Sequence, residues 1–115
     1  MTVTIYHNPR CSKSRQTLQL LQDNGVEPKV VEYLKTPPSA AELENILNML
    51  KLEPRELMRK KEPPYKERGL ADESLGRKAL IKAMVEDPVL IERPIVIKGQ
   101  KAVLGRPPEN VLDLL

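Results

Sequence analysis

Residues 2–6 (Thr-Val-Thr-Ile-Tyr) alternate polar and apolar side chains, most of them β-branched, and this predicts a strand. His7-Asn8-Pro9-Arg10 breaks the alternation. Leu18 and Leu21 then lie on one helical face, which predicts a helix from Cys11 to the stop at Asp23-Asn24-Gly25, where Gly25 can adopt the left-handed conformation. Lys29 to Leu34 predicts a second strand. Strand, tight loop, cysteine, helix and strand in that order imply parallel pairing through a right-handed crossover.

Pro37-Pro38 closes this segment, and Ser39-Ala40-Ala41-Glu42 is a capping box ahead of Leu43, Ile46, Leu47 and Leu50 at helical spacing. Pro54 suits the first position of a short helix carrying Leu57, Met58 and Arg59, and Glu62-Pro63-Pro64-Tyr65 reads as a proline-rich loop. Residues 75–86 place Leu80, Ile81, Met84 and Val85 in helical spacing up to Asp87-Pro88. A mostly helical insertion over about 39–87 therefore separates two strand regions of what is expected to be one domain, 1–115.

In the last third, Pro94-Ile95-Val96-Ile97 and Ala102-Val103-Leu104 flank a Gly99-Gln100 loop that favours a type II′ hairpin. Its register puts Ile95, Ile97 and Leu104 on one face and Val96 and Val103 on the other, the two-sided apolar pattern of a sheet covered on both faces. Residues 107–114 fit a short final helix with Pro107 or Pro108 in its first turn. Carried outward, the hairpin register makes Arg93 and Arg106 cross-strand partners at its open end. Two facing cations either clamp an anion or splay into solvent, and a one-residue slip removes the pairing.

Composition narrows the chemistry. Nineteen Lys and Arg against sixteen Asp and Glu leave a surplus of only three positive charges, too small for a nucleic-acid or membrane footprint. No apolar run is long enough to span a membrane, and Met1 leads straight into the first strand without a charged and apolar leader, so a cytoplasmic location is expected. The core lacks Phe and Trp and must be filled by Leu, Ile, Val and Met. A lone cysteine makes neither an internal disulfide nor, by itself, a structural zinc site, so no metal is expected and the thiol is free to act as a nucleophile.

Cys11 stands where a helix begins, so unpaired backbone N–H groups and the positive end of the helix dipole favour its thiolate. An ordinary thiol, ionising near about 8.5, is only a few per cent thiolate at neutral pH. Arg10, Lys13 and Arg15 push toward ionisation, and Ser12 and Ser14 add hydroxyl donors to a ready anion site. His7, the only histidine, either lends charge to Cys11 or is a structural residue bonded to the backbone. A tyrosine-phosphatase loop is excluded because position 17 is Thr17 and not arginine; a dithiol motif is excluded because position 14 is Ser14. Arg59, within Arg-Lys-Lys, reads on its own as a solvated charge.

The run from Tyr6 to Arg15 (Tyr-His-Asn-Pro-Arg-Cys-Ser-Lys-Ser-Arg) is accompanied by Leu-Met-Arg at 57–59, Tyr-Lys-Glu at 65–67, Glu-Arg-Pro-Ile-Val at 92–96 and Gly-Arg-Pro-Pro-Glu at 105–109. Together these resemble the glutaredoxin-dependent ArsC family of arsenate reductases, and within it the short YfgD-like branch, from residue 3 to the end. Ser12-Lys13 stands where better-known members carry Gly-Thr. The resemblance implies an α/β, thioredoxin-like fold with a mixed β-sheet flanked by helices, and a cis proline at Pro94. It implies Cys11 as catalytic nucleophile, His7, Ser14 and Arg15 as groups that activate the thiol, and Arg59, Arg93 and Arg106 as oxyanion ligands. The implied reaction reduces arsenate to arsenite through a covalent Cys11-arsenate adduct. No cofactor is bound; glutathione and glutaredoxin are external reductants, phosphate and sulfate are mimics of the substrate, and the chain is expected to be a monomer. Two other classes stay open: a non-enzymatic regulator of the Spx type, and a thiol reductase acting on mixed disulfides.

Overall fold

A computed structural model describes residues 2–115. In chain order it contains β1 (Val3–His7), α1 (Ser12–Asp23), β2 (Lys29–Glu32), α2 (Ala40–Leu50), α3 (Pro63–Glu67), α4 (Arg77–Glu86), β3 (Ile95–Lys98) and β4 (Lys101–Leu104). Three 3-10 helices, Pro54–Leu57, Pro88–Leu90 and Pro108–Leu114, complete it. The chain divides into two compact units, one of Met1–Thr36 with Arg93–Leu115 and one of Pro37–Glu92.

The first unit is built on a mixed sheet of order β2-β1-β3-β4, parallel between β1 and β2 and antiparallel elsewhere. This is the thioredoxin-like arrangement that the family resemblance implied, and its parallel β1–β2 pair is the crossover read from the order of elements. Val3, Ile5 and Val96 form its core with Leu21 of α1 and with Val111 and Leu114 of the last 3-10 helix, so α1 and that helix cover the same sheet face. Full burial of each such aliphatic side chain is worth about 1.5–3 kcal/mol. Tyr6 and Ile95, paired in register on the opposite face, are buried as well.

The β3–β4 hairpin has the register read from its loop, with Lys98 opposite Lys101 and Ile95 opposite Leu104. Gly99 takes φ +63°, as the first central position of a type II′ turn requires, and no non-glycine in the turn has a positive φ. The Gly105 N–H donates to Pro94 O at 2.9 Å, carrying the pairing one step toward Arg93 and Arg106. The Arg93–Pro94 and Arg106–Pro107 peptide bonds are both cis.

The second strand is shorter than its sequence suggests. Glu32 O accepts from the N–H groups of both Lys35 and Thr36, at 2.9 Å each, so the chain turns where alternation alone would extend the strand to Leu34.

In the second unit, α2 carries the capping box of Ser39 and Glu42, with Ser39 N–H donating to Glu42 Oε1 at 3.0 Å and Glu42 N–H donating to Ser39 Oγ at 3.1 Å. Leu43, Ile46 and Leu47 of α2 and Leu80, Ile81 and Met84 of α4 are buried, and Arg77 Nε bonds both carboxylate oxygens of Glu44 at 2.8 and 3.0 Å. The expected loop at Glu62–Tyr65 is instead the start of helix α3, because two prolines in a first turn remove N–H groups that would have no partner there and fix φ at a helical value. The short helix read from Pro54 ends at Leu57, leaving Met58, extended and bridged to Ile91, and Arg59 outside it; it and the C-terminal helical segment are both wound as 3-10 turns. No helix among the described residues is long and apolar enough to cross a membrane.

Candidate active site around Cys11

Cys11 is the N-cap of α1, in extended conformation (φ −93°, ψ 123°), and its side chain makes no capping bond. A tight turn places it there. Asn8 O accepts from the Cys11 N–H and Asn8 Oδ1 from the Arg10 N–H, both at 3.0 Å, so one asparagine folds the chain from the end of β1 into the helix. Arg15 braces the same loop by donating from Nη1 to Pro9 O at 2.9 Å.

The buried face of α1 reads Ser14, Thr17 and Leu21, with its two polar members at the N-terminal end. Both are satisfied, as buried hydroxyls must be. Ser14 Oγ accepts from the Asn8 N–H at 3.0 Å and shares a hydrogen bond of 2.6 Å with His7 Nδ1. Thr17 Oγ1 lies 2.7 Å from Lys13 O and 3.2 Å from Gly105 O. Gly105 fits because it lacks a side chain: a Cβ there would stand 2.5 Å from Thr17 Oγ1 and 2.8 Å from Pro94 Cγ.

Around the sulfur, two influences oppose each other. Burial pushes the Cys11 thiol up, but the backbone N–H groups of Ser14 and Lys13 and the charge and hydrogen bond of the Arg93 guanidinium together hold it below its ordinary range. Arg106 brings Nη1 to 4.0 Å from Cys11 Sγ and to 3.4 Å from Arg93 O. The two arginines at the open end of the hairpin therefore converge on the sulfur. His7 is held below its ordinary value by burial, with Glu32 raising it and Arg15 lowering it further. A cavity of about 280 Å³ adjoins the loop, lined by His7, Asn8, Arg10, Glu32 and Lys35 among others.

Cys11, His7, Ser14, Arg15, Arg93 and Arg106 thus belong to one unit and one loop cluster. Arg59 belongs to the other unit, where its N–H donates to Leu90 O at 2.7 Å and its Nη2 pairs with Glu62 at 2.8 Å. Asn8, Thr17, Gly105 and Glu32 went unread in the sequence. Asn8 had a local signal, an Asn-Pro turn ahead of a helix; the other three depend on pairings that no local pattern announces. Chemically, a thiolate at a helix N-terminus with two guanidiniums beside it suits nucleophilic attack on an anionic centre whose charge the cations offset.

Comparison with known proteins agrees with this arrangement. The family described as "ArsC family" matches residues 6–114. The chain is 60% identical over 114 residues to the uncharacterized protein YfgD of Escherichia coli K12, covering 98% of this chain and 96% of that one. It is 50% identical over 115 residues to an arsenate reductase of Rhizobium meliloti, covering 100% of this chain and 82% of the relative. The solved structure of an arsenate reductase from Vibrio cholerae superposes with a TM-score of 0.97 at 53% identity, covering 100% of this chain and 98% of that one. A match that takes in the Cys11 loop, both hairpin arginines and nearly all of the chain means that this protein belongs to the ArsC family.

Proposed function

We propose that the protein is an arsenate reductase that depends on glutathione and glutaredoxin. The observation that carries this reading is the Cys11 thiol, held below its ordinary range with the guanidiniums of Arg93 and Arg106 beside it. The activity named for its relatives at about half identity supports the choice of oxyanion.

Arsenate binds against the start of α1, with Arg93 and Arg106 offsetting charge that would otherwise repel the thiolate. The Cys11 thiolate attacks arsenic, a sulfur–arsenic bond forms, and one arsenate oxygen leaves as water after protonation. A glutathione thiolate then attacks the Cys11 sulfur; the electron pair of the sulfur–arsenic bond passes to arsenic, which departs as arsenite. The two sulfurs remain as a mixed disulfide that a glutaredoxin thiol reduces, because the chain has no second cysteine to resolve it. Phosphate and sulfate bind in place of arsenate without reaction.

The test is arsenate-dependent NADPH oxidation in the presence of glutathione, glutaredoxin and glutathione reductase. Turnover that disappears in Cys11→Ser supports the reading. Turnover that does not require arsenate points to a mixed-disulfide reductase, and no turnover under any of these conditions refutes the enzyme.

A further inference from the structure

His7 ends β1, and in the parallel ladder its partner on β2 is Glu32. Both also line the cavity beside the Cys11 loop. His7 is buried, whereas the Glu32 side chain is 43% exposed, so the carboxylate keeps its hydration while the imidazole does not. The charged groups around His7 are Glu32 from β2 and Arg15 from α1, with Lys35 from the turn after β2 and Arg10 from the loop lining the same cavity. Lys35 approaches Glu32 only to 3.6 Å and is itself 79% exposed, a pairing that leaves the carboxylate's field at His7 largely in place.

We propose that Glu32 is a positioning residue for this site: its carboxylate opposes the burial that disfavours a protonated His7 and, through Ser14, favours the negative charge on Cys11. The idea rests on Cys11 being the nucleophile. A protonated His7 donates from Nδ1 to Ser14 Oγ, which already accepts from the Asn8 N–H, so positive charge is delivered to the first turn of α1. That turn supplies the Ser14 and Lys13 amides that hold the sulfur. Burial and Arg15 both work against the imidazolium, and Glu32 is the group that works for it. Without Glu32 the ring stays neutral over a wider pH range and the hydrogen bond to Ser14 in the first turn of α1 loses its positive charge.

The chain has one histidine and one cysteine, so each titration is read without assignment. The experiment follows the imidazole by proton NMR and the thiol by its rate of alkylation with iodoacetamide, both across pH, in the native protein, Glu32→Gln and Glu32→Asp. Glu32→Gln is expected to lower the imidazole midpoint and to move the matching inflection of the alkylation profile with it; Glu32→Asp, which keeps the charge, is expected to leave both near their native positions. An unmoved imidazole midpoint in Glu32→Gln overturns the proposal. So does a midpoint that moves while the alkylation profile stays, or an Asp variant that behaves like Gln. Neither measurement uses arsenate, so the result stands whether or not arsenate is the substrate.

Discussion

His7 Nδ1 and Ser14 Oγ lie 2.6 Å apart, a buried hydrogen bond that ties the last residue of β1 to the first turn of α1. Ser14 is fully buried and also accepts from the Asn8 N–H. Ser14→Ala leaves both partners without a bond in the interior. A loss of about 1–3 kcal/mol in urea unfolding is expected, with the thiolate's backbone donors retained. Unchanged stability would show that water replaces the hydroxyl at no cost.

His7 also makes stability depend on pH in a defined direction. Burial, the largest influence, lowers its proton affinity in the folded state below the ordinary value of 6.5, so the unfolded chain binds more protons between that value and the folded midpoint. Stability from this group is therefore present above 6.5, is lost as pH falls below it, and declines no further once the folded midpoint has been passed. Thermal unfolding of His7→Gln should show a flatter slope across that window than the native protein. Parallel slopes would mean that His7 titrates alike in both states.

Gly105 is the point where the hairpin meets α1. A methyl group there would stand 2.5 Å from Thr17 Oγ1 and 2.9 Å from Thr17 Cγ2, with the Pro94 ring at 2.8 Å on its other side. Gly105→Ala should cost about 1–3 kcal/mol through forced displacement, and it should slow Cys11 chemistry by shifting the segment that carries Arg106. Melting together with alkylation rate checks both. A variant as stable and as reactive as the native chain would mean that this contact relaxes freely.

Arg93 and Arg106 act on the sulfur from the open end of one hairpin. Replacing either by lysine keeps a charge but removes the planar fork, and phosphate inhibition of arsenate reduction should weaken roughly tenfold or more. In Arg93→Lys the thiol should also titrate higher, since Arg93 both bonds it and lowers it. Phosphate inhibition equal to that of the native enzyme would remove both residues from the anion site.

Much of this was legible in the chain, and the boundary has a physical basis. The Gly99-Gln100 loop fixed the hairpin register, because a two-residue turn admits one pairing, and that register led to Arg93 and Arg106. Cys11 at a helix start followed from the break at Pro9 and the stop at Gly25. What stayed hidden depends on three-dimensional neighbours: Glu32 beside His7 comes from strand pairing, and Thr17 against Gly105 from contact across 88 positions. The proline-rich stretch misled because proline is as compatible with the first turn of a helix as with a loop, and only the partners at Arg68 and Gly69 decide for α3.

The pH dependence of the thiolate's ultraviolet absorbance in the native protein, which has a single sulfhydryl to observe, bears most directly on the nucleophile. A midpoint below that of free cysteine, rising in Arg93→Lys, is the predicted result. A midpoint at or above the free value would mean that burial outweighs the amides and guanidiniums, and Cys11 would not be the attacking group.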